Sequence, residues 1–235
     1  MVWFLAACSC AWAQGPPHGA PASPPSLITP FARGEVLNYS VNWPSGLSLG
    51  DAQFKAGGGE PGWQFEFTLD AGIPALQIRD RFHALADAQF CSERLEKDSA
   101  RGPRKSRETV KYDAQKAVAI RHTRDGGTSE VAVPDCVKDG LTFLYFVRRE
   151  LAGGRLPPPQ TINFGAAYQI TARYSDSPQI ESGGVRQPTD RIAFSLRGPA
   201  SQHSFEIFFA RDPARTPLLV RVPFALGTFA LELAR

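Results

Sequence analysis

Glu35-Val-Leu-Asn-Tyr-Ser-Val-Asn-Trp43 alternates apolar and polar side chains along its whole length. Leu37, Tyr39, Val41 and Trp43 fall on one face, and Asn38, Ser40 and Asn42 on the other. A period of two with one apolar face is the mark of a β-strand lying against a core. The pattern returns in Trp63–Asp70, where Trp63, Phe65, Phe67 and Leu69 point one way, and again in Tyr168–Tyr174, Arg191–Arg197 and Leu218–Phe224. Phe229, Leu231 and Leu233 carry it to the C-terminus. Gly57-Gly58-Gly59, Asp125-Gly126-Gly127 and Ser182-Gly183-Gly184 separate the runs as turns. One-sided strands of this kind belong to an antiparallel sheet.

One segment breaks the rhythm. Asp139-Gly-Leu-Thr-Phe-Leu-Tyr-Phe-Val-Arg-Arg-Glu-Leu-Ala152 is followed by Gly153-Gly154. It reads as a helix with an aspartate cap and a glycine stop. Leu144, Val147 and Leu151 form a stripe that Phe143 and Phe146 widen, so the sheet should bury it. The segment is too short, and too interrupted by Arg148 and Arg149, to cross a membrane. The expected fold is therefore mainly β: a large curved antiparallel sheet or open half-barrel, about 11 strands around one helix.

The 235 residues divide into residues 1–13 as a leader, 14–30 as a proline-rich flexible tether and 31–235 as a single β-rich domain. Six prolines between Pro16 and Pro30 exclude a helix or a central strand there. In the leader, Leu5-Ala6-Ala7-Cys8 reads as a lipobox with Cys8 as the lipidation candidate, and Ala11-Trp12-Ala13 as a secretory cleavage site. No Lys or Arg precedes the apolar run, which suggests a start codon assigned too late. The expected location is the periplasm, either free or anchored to the outer membrane and facing the periplasm. Cys91 and Cys136 are the disulfide candidates for such an exported protein, though two buried free thiols fit the sequence as well.

The net charge of +3 is too small to imply a nucleic-acid partner. Arg94 to Arg124 nevertheless holds ten Lys/Arg against four Asp/Glu. That run reads as the solvated faces of two strands, or as a surface for phosphates and anionic headgroups. Gly46-Leu-Ser-Leu-Gly50 matches the G-x-S-x-G pattern of a nucleophile elbow, with His83, His122 and His203 downstream. The elbow requires a helix next, and Asp-Ala-Gln-Phe-Lys-Ala followed by three glycines is none. The four histidines show no i, i+4 pair, and no C-x-x-C is present, so neither a metal nor another cofactor is expected. His122, in step with Val118 and Ile120, reads as a strand residue at the core edge. Asp212-Pro-Ala-Arg-Thr-Pro217 reads as a structural turn: Asp212 accepts its hydrogen bonds, Arg215 pairs with Asp212, and Pro217 starts the next strand.

Taken together, Phe31–Trp43, Gly50, Asp139–Arg149 and Phe209–Pro217 resemble a bacterial family of exported proteins, domain of unknown function 3108. The likeness covers roughly residues 31 to 235. It implies an envelope location and a β-rich fold, and it transfers no catalytic residue. By looser analogy the fold is similar to lipoprotein carriers, although fold alone does not give function. The expectation is a non-enzymatic binding or carrier protein for a lipid or other amphipathic ligand held on the concave side of the sheet. The alternative is a structural or assembly factor acting through protein contacts, with a hydrolase the least favoured reading. A lipid or amphipathic small molecule is thus the expected partner, with membrane association through a lipid anchor and no nucleic acid.

Overall fold

A computed structural model of the protein describes residues 31, 33–58, 62–73, 76–224 and 227–234. The leader, the tether and Cys8 lie outside the described residues. Eight strands open the fold: β1 (Glu35–Asn42), β2 (Ser48–Gly58), β3 (Gly62–Ile73), β4 (Leu76–Asp87), β5 (Ser92–Arg101), β6 (Arg104–Asp113), β7 (Val118–Thr123) and β8 (Thr128–Ala132). The two-residue β9 (Lys138–Asp139) leads into helix α1 (Gly140–Ala152). The second half holds β10 (Gln160–Asn163), β11 (Ala167–Asp176), β12 (Gln179–Ser182), β13 (Val185–Arg197), β14 (Gln202–Ala210), β15 (Pro217–Phe224) and β16 (Gly227–Leu233).

All sixteen strands belong to one sheet, not the eleven or so expected from alternation. The order is β8-β7-β6-β5-β4-β3-β2-β1-β16-β15-β14-β13-β11-β10-β9, with β12 paired to β13. Neighbours are antiparallel except β9 and β10, which run parallel on either side of α1. The first and last strands pair with each other, Tyr39 opposite Leu233, and so weld two meanders into one sheet. The count was low because apolar alternation misses certain strands. β5 and β6 carry charges on both faces, β7 holds Arg121 on its inward face, and β9 and β12 are too short to show a period.

The helix forms where its caps lie. Asp139 accepts from the amides of Leu141 and Thr142 at 2.8 and 3.1 Å, and Gly153 closes the C-terminal end. The same carboxylate accepts from the hydroxyls of Ser92 (2.6 Å) and Thr142 (2.7 Å), which fixes the helix start against β5. Eight of its thirteen residues from Leu141 to Leu151, on nearly every side, are buried apolar or charged groups besides Thr142. One core joins them to the sheet: Phe65 stacks on Tyr145 at 4.3 Å, and Phe143 meets Phe194 edge-on at 6.0 Å. The helix is too short to cross a membrane.

Cys91 and Cys136 are bonded, with their Cα atoms 4.6 Å apart. The bridge fastens the segment between β8 and β9 to the start of β5, and the Ser92 amide donates to the Val137 carbonyl beside it at 2.9 Å. Two expectations need correction. His122 is exposed and pairs with Thr128, because Ala119 and Arg121 take the inward positions of β7. The small Ala119 fits the packed core where an imidazole would not. The basic run spans three strands rather than two, and Lys97 and Arg121 are only partly exposed.

Candidate functional site

Antiparallel pairing lines up inward side chains in rows that cross the strands. The row under the helix is Glu35, Ala56, Phe65, Ala84, Leu95 and Val110. One step further from the helix the row is Leu37, Phe54, Phe67, Phe82, Lys97 and Glu108. The first row is buried but for Glu35, whereas Phe54, Phe67 and Phe82 are only partly buried. Their rings follow one another at 4.7 and 5.7 Å, and the Lys97 ammonium lies 5.8 Å from the Phe82 ring. An apolar strip thus runs across the concave face and ends on a cation. Phe205, Val220 and Leu231, also partly buried, carry apolar surface on the other half of the sheet.

The charges at the end of this strip are unevenly matched. Glu108 accepts two bonds from Arg121, at 2.6 and 2.9 Å, and one from Lys97 at 3.4 Å. The bonds from Arg121 hold the Glu108 carboxyl below its ordinary value, against the opposing effect of burial. Two cations share one carboxylate, so the group keeps a net positive charge. In the next row Asp80, 5% exposed, accepts from Arg101 at 3.1 Å, and its Oδ1 has no partner among the described residues. Together these groups offer cationic donors to an anion and one acceptor to a hydroxyl or amine.

A buried network holds the opposite end of the trough. Arg148 donates to both carboxylate oxygens of Glu35 and to the Ala214 carbonyl, and its guanidinium lies against Phe31 and Tyr145. Burial disfavours its charge, but the bonds to Glu35 more than offset this and hold its pKa above the ordinary value. Tyr39 donates to the Pro217 carbonyl at 2.6 Å, and burial pushes its hydroxyl pKa up. Sequence reading took Arg148 only as an interruption of an apolar helix. An arginine on an otherwise buried helix face was the signal for a partner.

The turn at residues 211–216 meets this network. Asp212 accepts from the Thr216 amide and hydroxyl at 2.9 and 2.7 Å. The Arg215 amide donates to the Asp212 carbonyl at 3.1 Å, but its side chain does not pair with Asp212: the residue adopts a positive φ of 48° and its guanidinium reaches Asp190 at 2.9 Å. Arg211 binds the same carboxylate, so Asp190 ties both arginines to one place on the turn. Pro217 begins β15. Ser48 opens β2, a strand and not a helix, and no hydrogen bond joins it to His83, His122 or His203 among the described residues. A groove of about 500 Å³ lies on the convex side, between the row of Asn38, Gln53, Thr68 and Arg81 and the row of Asp51, Asp70 and Arg79. No group of His, Cys, Asp or Glu among the described residues is arranged to hold a metal.

Residues 38–234 match the family described as protein of unknown function (DUF3108). The chain belongs to that family. The stretches quoted above for the resemblance meet in the buried network: Glu35 and Tyr39 from the first strand, Arg148 from the helix, and Ala214 and Pro217 from the late turn. No curated protein matches the chain. A crystal structure of a beta-barrel-like protein of domain of unknown function DUF1849 from Brucella abortus is similar over 85% of this chain and 95% of that one. The TM-score is 0.63 at 7% sequence identity, a likeness of fold alone.

Proposed function

We propose that this DUF3108 protein is an exported envelope protein that binds an amphipathic, lipid-like ligand along the concave face of its sheet. The row Leu37, Phe54, Phe67, Phe82, Lys97 carries the reading. Partly exposed rings in sequence suit an acyl chain, and the cations at the end suit an anionic headgroup. Asp80 Oδ1 supplies an acceptor for a headgroup hydroxyl or amine. The Cys91–Cys136 disulfide supports an oxidising compartment, as does the apolar leader. Binding needs no covalent step, so the role is that of a carrier or sensor rather than an enzyme.

Native purification followed by solvent extraction and lipid mass spectrometry tests the reading. A lipid should co-extract with the wild type and be lost from Phe67→Gln/Phe82→Gln. Lys97→Gln should shift the bound population away from anionic lipids. A wild-type protein that yields no lipid after purification from the envelope would overturn the proposal.

A further inference from the structure

Strand direction sorts the turns to two ends of the sheet. β1, β3, β5, β7, β10, β13 and β15 all run toward the end away from the Glu35–Arg148 pair. Three of the four most exposed large apolar side chains among the described residues sit at that end: Leu47 (64%), Phe224 (60%) and Phe164 (57%). Leu47 and Phe224 are on neighbouring tips, because β1 pairs with β16. Behind them Trp43 meets Phe229 edge-on at 4.9 Å, and Phe229 meets Phe224 at 5.3 Å. At Gly227 a Cβ would come within 2.6 Å of Pro44 Cγ, so the two tips touch. The exposed side chains therefore stand on a packed aromatic base.

The same end is basic. Arg101 and Arg104 flank the β5–β6 turn, Arg124 lies in the β7–β8 turn, and Arg197 ends β13; Arg104, Arg124 and Arg197 are exposed and make no ion pair among the described residues. Asp125 is the single acid in the turns at this end. Exposed aromatic and aliphatic tips beside unpaired arginines match the layered chemistry of a bilayer surface, apolar beneath and phosphate above. A protein partner would ask for complementary acids against the arginines but would not call for apolar tips separated by turns.

We propose that this end docks onto an anionic lipid surface. Leu47 and Phe224 insert below the headgroups, and Arg104 and Arg124 meet lipid phosphates. Resting on the ligand reading above, the docking sets against the bilayer the rim that flanks the concave strip on the side away from the helix, where a lipid can enter. The rim would then act as the donor or acceptor face of lipid exchange.

Co-sedimentation of the chain, produced without residues 1–30 so that no lipid anchor contributes, tests it on vesicles of phosphatidylcholine alone and of phosphatidylcholine with phosphatidylglycerol. Far-ultraviolet circular dichroism of this shortened form against the full chain checks that it is folded. Binding to the anionic vesicles should exceed binding to the neutral ones and fall with added salt. Arg104→Gln and Arg124→Gln should each weaken it by about five-fold. Leu47→Ser/Phe224→Ser should weaken it further with the fold kept by circular dichroism, since both side chains are exposed and only the edge contact of Phe224 with Phe229 is lost. Equal binding by wild type and variants, no binding to anionic vesicles, or capture of a protein at these tips in place of vesicles would each overturn the proposal. Phe67→Gln/Phe82→Gln separates the two readings: it should lose co-extracted lipid and keep vesicle binding. Loss of vesicle binding by the rim variants, with lipid never co-extracted, would leave docking standing and the ligand reading refuted.

Discussion

Arg148 and Glu35, 113 residues apart in the chain, form a two-pronged ion pair inside the core. The bonds measure 2.6 and 2.7 Å, and the arginine side chain is wholly buried. The pair joins the helix to the first strand, and the Ala214 carbonyl adds the late turn. A buried charge left alone is costly, so each partner makes the other necessary. Arg148→Ala should therefore destabilise the protein by about 3–5 kcal/mol, read as a shift in the urea midpoint. Replacing both partners, as Glu35→Leu/Arg148→Met, should cost less than the single change, because no uncompensated charge remains.

Reduction of Cys91–Cys136 releases a closed loop of 45 residues. The chain-entropy relation assigns it about 4 kcal/mol. Cys91→Ser/Cys136→Ser should lower the unfolding free energy by that order, and adding reductant should change the wild type but not the variant. Limited proteolysis should then open the 133–137 segment first, since the bridge is what fastens it to β5.

Glu108 sets a pH dependence. Its folded pKa lies below the ordinary 4.5 because Arg121 donates to the charged form. The stabilisation is therefore complete above about 4.5 and is lost as pH falls through the lower, folded value. Unfolding midpoints measured from neutral pH down to about 3 should drop more steeply for the wild type than for Glu108→Gln. An identical slope in both would exclude Glu108 as the titrating group.

Gly50 has a φ of 149°, and a Cβ there would sit 2.1 Å from the Asp70 carbonyl oxygen on β3. No side chain can move aside, since the obstacle is backbone. Gly50→Ala should cost about 3 kcal/mol or more and loosen the β2–β3 pairing, measured by amide exchange of Asp51 to Gln53. Gly126→Ala, at a turn with open space around it, should cost about 1 kcal/mol.

The helix was legible to its caps, because Asp139 and Gly153 act on the backbone within a few residues. The inward faces of β1 and β3 were legible as well, since one-sided burial leaves a period of two in any strand. β5, β6 and β7 were not. Their inward positions hold Lys97, Glu108 and Arg121, which pair with one another across strands, and a pattern of hydropathy cannot show a pairing. The Arg215 side chain went to Asp190, 25 residues away in the chain, rather than to its near neighbour Asp212, and that too is a pairing set by tertiary contact.

Local sequence thus determined a β-rich chain with one capped helix, its turns, and which face of the apolar strands is buried. These follow from forces acting over a few residues. Only the tertiary structure decided that sixteen strands form one sheet, that β1 pairs with β16, and that Glu35 waits for Arg148. It also decided that Phe54, Phe67, Phe82 and Lys97 lie in one row. Such rows depend on the register between strands far apart in the chain, and register is a property of pairs that no single strand carries.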